Sequence, residues 1–360
     1  HHFAKGLLLA PTGPEDRTTG SIFDLTFCTC DFLQERLESL ESRSQHVGML
    51  IVVLGGGALQ HQNPYLWNEV GIRRILLKHR NSVDVSSHQS KTWWQHRFMA
   101  NGAVEMEKLH INGICDFSCF VVNVKDGVAR TENVYIYDID ELKEGQAARE
   151  YTETFSTMPD RLTCLPRGPN LHKTRGYGFG VGGGQAEYTK EAGVGEYSNL
   201  KKPSDVLGNA EFRSRMDRGL EWQSAMFKKC CPVEYEVECQ LVASQHIPTK
   251  EGQRSFSHSY GSVNYQSALH LDFDLGVAWL FTADICENGR MEGGDFINVD
   301  NHVGFKLGGN GQFLMFSPHD QLHGTTDLTL TPTSKRFGVV QQCGKQVSAF
   351  AMKDWKRKHA

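Results

Sequence analysis

The chain has 360 residues, with 38 Lys and Arg against 42 Asp and Glu, a formal charge of −4 and a pI near 6.5. That length builds one large core with elaborations, or two domains, and the near-balanced charge excludes a global basic field for nucleic acid, so phosphate contacts would have to come from local patches. The apolar run at 6–10 is too short for a signal segment or a membrane span, and ten cysteines without metal-ligand spacing argue for free thiols in a reducing compartment over a zinc or disulfide scaffold.

In chain order, residues 33–42 predict a helix, with Leu33, Leu37 and Leu40 on one face. Residues 49–54 read as a buried strand ending in three glycines. A dinucleotide site is argued against there, because Gly-x-Gly-x-x-Gly is absent and position 60 is Gln60. Trp93, Trp94, His96 and Arg97 form an aromatic-basic cluster, suited either to stacking on bases or to a core beside an exposed Arg. Two strands flank Asp126-Gly127, a hairpin signal, within 121–138, and a polar helix follows. Six glycines in the nine residues 176–184 predict a backbone that bends freely, as a loop over an active site or as a turn before the next helix. That helix is expected over 205–232, stopped by Cys231-Pro232.

The region from 258 to 343 carries the chemistry. It reads as short strands punctuated by Gly-rich turns: 263–274, 276–282, 296–299 after Gly293-Gly294-Asp295, 303–307, 312–316 after the cluster 308–311, and 336–340. On a strand, residues i and i+2 share a face, so His270 and Asp272 can reach one metal ion. With 16 His and 42 acidic residues, about two His-x-Asp/Glu matches are expected by chance, so the spacing alone decides little. A third ligand, His323, lies 323 − 272 = 51 residues on, after a predicted strand. Two imidazoles and one carboxylate form the facial donor set of a non-haem Fe(II) oxygenase and leave positions for a co-substrate and dioxygen. Arg336, 13 residues past His323, can offer a guanidinium fork to a carboxylate. The fold class is therefore α+β, with a double-stranded β-helix (jelly-roll) core flanked by helices.

The order of these motifs (His270-Leu-Asp272, the Gly-Gly turn, Gly311-Gln-Phe-Leu-Met-Phe316 before His323, then Arg336-Phe-Gly-Val-Val340) resembles the Fe(II)/2-oxoglutarate dioxygenases. Within them it is similar to the TET/JBP group of nucleic-acid base oxygenases, fungal and algal members included; the Gly-rich block 177–185 also resembles one that fungal members carry. The resemblance covers roughly 165–345. It implies Fe(II) on His270, Asp272 and His323, and 2-oxoglutarate held by Arg336 with help from Ser334 or Thr325. It also implies a substrate methyl on 5-methylcytosine or thymine in DNA, flipped out of the duplex to meet the iron. Algal relatives include ascorbate users, so ascorbate is the alternative co-substrate. The family's base-holding Asn or Asp, three residues after the metal carboxylate, is here Leu275. Asp274, on the ligand face if the strand is regular, and Asn264 are the candidate base contacts.

The expected organisation is an N-terminal α/β elaboration of unknown role over 1–150, the dioxygenase domain over 151–350, and a basic tail over 351–360. In that tail Lys353, Lys356, Arg357 and Lys358 form either a phosphate patch or a solvated end. A DNA substrate implies a nuclear location, with a cytoplasmic one as the alternative. No membrane association is expected. Other readings of the same residues are a 2-oxoglutarate oxygenase acting on a protein side chain or small molecule, and a catalytically silent jelly-roll binding module.

Overall fold

The computed structural model describes the backbone of residues 3–9, 22–28 and 50–54. It also describes residues 114–359 apart from 116–117, 126–127, 140–143, 165–173, 181–193, 198–199, 251–252, 268, 273, 287–290, 302, 327 and 330–332. The helix expected over 33–42, the cluster at 93–97 and glycines 182–184 lie outside the described residues.

In chain order the strands are β1 (Phe3–Leu9), β2 (Ile22–Cys28), β3 (Leu50–Leu54), β4 (Ile114–Cys115), β5 (Cys119–Lys125), β6 (Val128–Ile136), β7 (Arg175–Gly180), β8 (Gly195–Glu196), β9 (His258–Val263) and β10 (Asp274–Cys286). They continue with β11 (Glu292–Gly293), β12 (Phe296–Asn298), β13 (Val303–Phe305), β14 (Gln312–Phe316), β15 (His323–Thr325), β16 (Leu328–Thr329) and β17 (Ser334–Gly344). The helices are α1 (Gly145–Ser156), α2 (Met158–Arg161), α3 (Val206–Cys230), α4 (Pro232–Ser244) and α5 (Lys345–His359).

The architecture is α+β. A nine-stranded sheet runs β3-β5-β6-β14-β10-β17-β9-β7-β8, and a four-stranded sheet runs β15-β12-β13-β4. Pairing in both is antiparallel except at β3–β5 and β13–β4. Strands β4 to β6 thus share both sheets with the region after 258, so the expected division at 150 cuts through continuous hydrogen-bonded ladders.

One face of the large sheet carries helices. In α3 the residues Phe212, Met216, Leu220, Gln223 and Phe227, spaced at three or four, form its buried stripe. Its N-cap is Asp205, whose carboxylate accepts from the Gly208 N–H, and Pro232 ends it while starting α4 at a position that needs no N–H. Alternation along β10 aims Trp279 and Phe281 at this layer, against Phe227 and Tyr151. Gln223 crosses the interface, its side-chain amide donating to the carbonyls of Trp279 and Val339.

The opposite face meets the small sheet. Phe316 packs on Phe296 of β12 and Tyr135 on Phe305 of β13, with ring centroids 4.7 and 5.1 Å apart. Residues one register away from the helix-facing ones, including Asn133, Phe316, Asp284 and Arg336, lie on this inner side.

Three expectations are corrected. The segment 263–274 is not one strand: β9 ends at Val263, Asn264 takes a positive φ of 54°, and the ladder resumes only at Asp274. Residues 175–180 form a buried strand instead of a loop, where Gly176 and Gly180 leave the space that the Tyr197 ring fills. Residues 351–359 continue helix α5 and are not a tail.

Candidate metal centre

The ligand segments meet through backbone hydrogen bonds before any side chain is considered. His270 and His323 face each other as an antiparallel bridge; the His270 N–H donates to the His323 carbonyl at 2.8 Å and the reverse bond is 3.1 Å. Three residues earlier, Ser267 and Thr325 repeat the contact. The Thr325 N–H donates to the Ser267 carbonyl at 3.1 Å, and the Ser267 N–H donates to the Thr325 hydroxyl at 2.9 Å. Gly324 permits this close approach, because a Cβ there would stand 3.1 Å from the Leu269 N and the Ser267 O. Asp272 is then tied to the neighbouring turn, its N–H donating to the Pro318 carbonyl at 2.9 Å.

The side chains of His270, Asp272 and His323 converge, each offering a ligand atom within 4.8 Å of the others. The Asp272 carboxylate lies 3.6 Å from His270 Nε2 and 3.5 Å from His323 Nε2. Adjacent donors about 2.1 Å from one octahedral ion lie about 3 Å apart, so the two Asp272 separations are within a small contraction of what one metal ion requires. Exposure is graded: the His323 side chain is 5 % exposed, His270 22 % and Asp272 33 %, so the trio opens on the Asp272 side. Phe296 and Phe316 flank the His323 ring at 5.5 and 4.9 Å. His323 Nδ1 is 2.8 Å from the Gln321 carbonyl oxygen. A carbonyl only accepts, so Nδ1 carries the proton and Nε2 keeps its lone pair for a metal.

Arg336 is placed differently from a free fork. It is buried on the inner sheet face, with Nε 2.8 Å and Nη2 3.2 Å from the two oxygens of Asp284 and Nη1 2.7 Å from the Gly293 carbonyl. Asp284 stands directly opposite on β10. Among the described residues, three of the five guanidinium hydrogens are engaged, leaving one on each terminal nitrogen for another acceptor. Burial raises the nearby Asp295 carboxyl above its ordinary range. Ser334 is buried at the start of β17, and Thr325 is committed to Ser267. Asn264 pairs with the start of β17, its side-chain oxygen accepting from the Arg336 N–H at 2.8 Å while its own N–H donates to the Arg336 carbonyl. Asp274 opens β10 opposite Gly344, beyond the break in regular strand, so alternation from Asp272 does not fix where it points.

Sequence reasoning missed Asp284 as the partner of Arg336, and missed Asn133, Asn298, Asn301, Glu132 and Gln321, which lie behind His323. Each looks like an ordinary polar residue in its own segment, and only the cross-strand register unites them.

No family model and no curated protein matches the chain. Among solved structures it is similar to NgTET1 in complex with 5mC DNA, at 13 % identity over 75 % of this chain and 98 % of that one, with a TM-score of 0.43. It is also similar to a 2OG-Fe(II) oxygenase family oxidoreductase from Burkholderia pseudomallei (12 %, 59 % and 84 %, TM-score 0.28) and to a Pseudomonas putida prolyl-4-hydroxylase (10 %, 55 % and 86 %, TM-score 0.24).

Proposed function

We propose that the chain is an Fe(II)-dependent dioxygenase of the TET/JBP-like type, built on a double-stranded β-helix and oxidising the methyl group of 5-methylcytosine or thymine in DNA. The observation that carries the oxygenase part is the convergence of His270, Asp272 and His323, with the proton of His323 assigned to Nδ1. Bound iron supplies oxidation of an unactivated C–H bond by dioxygen. The chain's own residues hold it: His323 from the buried side, His270 and Asp272 from the open side, where a flipped-out base would enter. Phe296 and Phe316 keep water from the back of His323. For 2-oxoglutarate, the two unengaged hydrogens of Arg336 receive the distal carboxylate, with Ser334 beside it. Asp274 is the proposed acceptor for the cytosine amine, while Asn264, bonded to the Arg336 backbone at the opposite end of β17, steadies the Arg336 end.

Ascorbate as co-substrate has one observation in its favour. The Asp284 carboxylate already pairs with Arg336, so the guanidinium attracts the distal carboxylate of 2-oxoglutarate less than an unpaired one would, which suits a co-substrate that does not depend on that clamp.

Anaerobic Fe(II) titration followed by turnover on methylated and unmethylated duplexes, with 2-oxoglutarate or ascorbate, tests the proposal. Iron binding with methyl-dependent co-substrate consumption is the expected result. Consumption indifferent to methylation would remove the DNA substrate and leave an oxygenase acting on a protein side chain or small molecule. Absence of iron binding would leave a jelly-roll binding module.

A further inference from the structure

Behind His323 lies a lattice of side-chain amides that is almost wholly removed from solvent. Gln321, two residues before the ligand, accepts at Oε1 from Asn298 Nδ2 (2.9 Å), Asn133 Nδ2 (3.3 Å) and the Ser317 N–H (3.1 Å). Its Nε2 donates to the Glu132 carboxylate (2.8 Å) and the Glu132 carbonyl (3.2 Å). Asn133 Oδ1 accepts from Asn298 Nδ2 (3.2 Å) and Asn301 Nδ2 (2.9 Å), while its own amide donates to the Met315 carbonyl (3.2 Å). Asn298 Oδ1 then accepts from the Asn301 N–H at 3.1 Å.

We infer that this lattice, centred on Gln321 and anchored by Glu132 and Asn133 of β6, is the positioning device for His323; the inference rests on the metal-centre reading above. Burying amides is costly unless each is satisfied, and a fully satisfied network specifies one geometry. The geometry specified here is that of the turn 317–323. The Gln321 side chain is held at both ends, so its backbone carbonyl is fixed, and that carbonyl receives the Nδ1 proton of His323. Orientation of the ligand imidazole and the partner of its Nδ1 thus follow from residues on three strands and a turn. The segment before residue 150 acquires a role: β6 is the wall against which the ligand turn is set.

The readouts are the tautomer of His323 in the metal-free protein, from imidazole nitrogen chemical shifts, and the Co(II) dissociation constant from visible absorption. Wild type is expected to show a single Nδ1–H tautomer. Gln321→Met keeps the volume and removes all five hydrogen bonds; mixed tautomers and a 10- to 100-fold weaker Co(II) affinity are expected. Glu132→Gln keeps an oxygen for the Gln321 amide and should stay within about threefold of wild type in affinity with the tautomer unchanged, by the same outer-shell scale. If Gln321→Met does not fold, Glu132→Leu, which removes one bond, carries the test with a smaller loss in the same direction. Wild-type tautomer and affinity in a folded Gln321→Met or in Glu132→Leu would overturn the inference. Failure of wild type itself to bind Co(II) would overturn the metal-centre reading instead, and the tautomer comparison in metal-free protein would still decide what the lattice does.

Discussion

Glu238 offers the sharpest test of how this fold treats a buried charge. It projects from α4 into the irregularity of β10 between Leu275 and Trp279, is 1 % exposed, and accepts from the Val277 N–H, while its second oxygen has no hydrogen-bond partner among the described residues. Burial pushes its carboxyl from an ordinary 4.5 up to about 8. A raised carboxyl pKa means the folded chain holds a proton that the unfolded chain has released. Its contribution to stability is therefore full below about pH 4.5 and is lost as pH rises through about 8. At about 1.36 kcal/mol per pH unit, the interval corresponds to on the order of 5 kcal/mol, a large share of a typical domain's stability. Glu238→Gln keeps the shape and the acceptor for Val277 but places an amide where the second oxygen lies, at a pH-independent cost of about 1–3 kcal/mol. The variant should be less stable than wild type at pH 5 and more stable at pH 9, the two curves crossing between. Urea unfolding followed by Trp fluorescence in reductant, at pH 5 to 9, reads this directly. Parallel pH profiles for the two proteins would refute the reasoning.

Asp272→Ala should abolish Co(II) and Fe(II) binding while leaving far-UV circular dichroism unchanged, because the histidine bridge is held by backbone bonds; wild-type metal affinity in the variant would remove Asp272 from the ligand set. Arg336→Ala strands the partly buried Asp284 carboxylate and should destabilise the apo protein by about 3 kcal/mol in chemical denaturation, and it should raise the 2-oxoglutarate requirement only if that acid is the co-substrate. Gly276→Ala, which puts a Cβ into the Glu238 carboxylate at a φ of 64°, should lower the melting temperature, with a cost above about 2 kcal/mol. In thiol labelling of the native protein, exposed Cys164 should react with iodoacetamide while Cys230, whose thiol burial pushes up to about 12, stays unmodified until denaturant is added.

Elements bounded by local chemistry were readable from the chain. The strand 312–316 follows its glycine cluster, β5 and β6 flank Asp126-Gly127, and α3 stops where Pro232 forces it to. Alternation could not reveal that, between β9 and β10 of the large sheet, His270 bridges to His323 of the small one, because a period of two looks the same whether the next residue has a ladder partner or not. Glycine counts misled at 176–180, where the missing side chains make room for a tyrosine ring. Helix α4 went unread because a proline that ends one helix is equally suited to begin the next. In the candidate site, His270, Asp272 and His323 carried a recognisable spacing. The amide lattice and the Asp284 partner of Arg336 carried none, since they depend on cross-strand contacts as far as 189 positions apart, which register alone decides.

The paired backbone of His270 and His323 closes a loop of 323 − 270 = 53 residues through two backbone hydrogen bonds. In small zinc modules the metal itself closes such loops, and removing it unfolds the chain. Here the entropy of bringing the ends together is offset by backbone hydrogen bonds between the two segments. A metal held by this trio would join segments already paired by their backbones, so chelation should leave the far-UV circular dichroism of the chain unchanged.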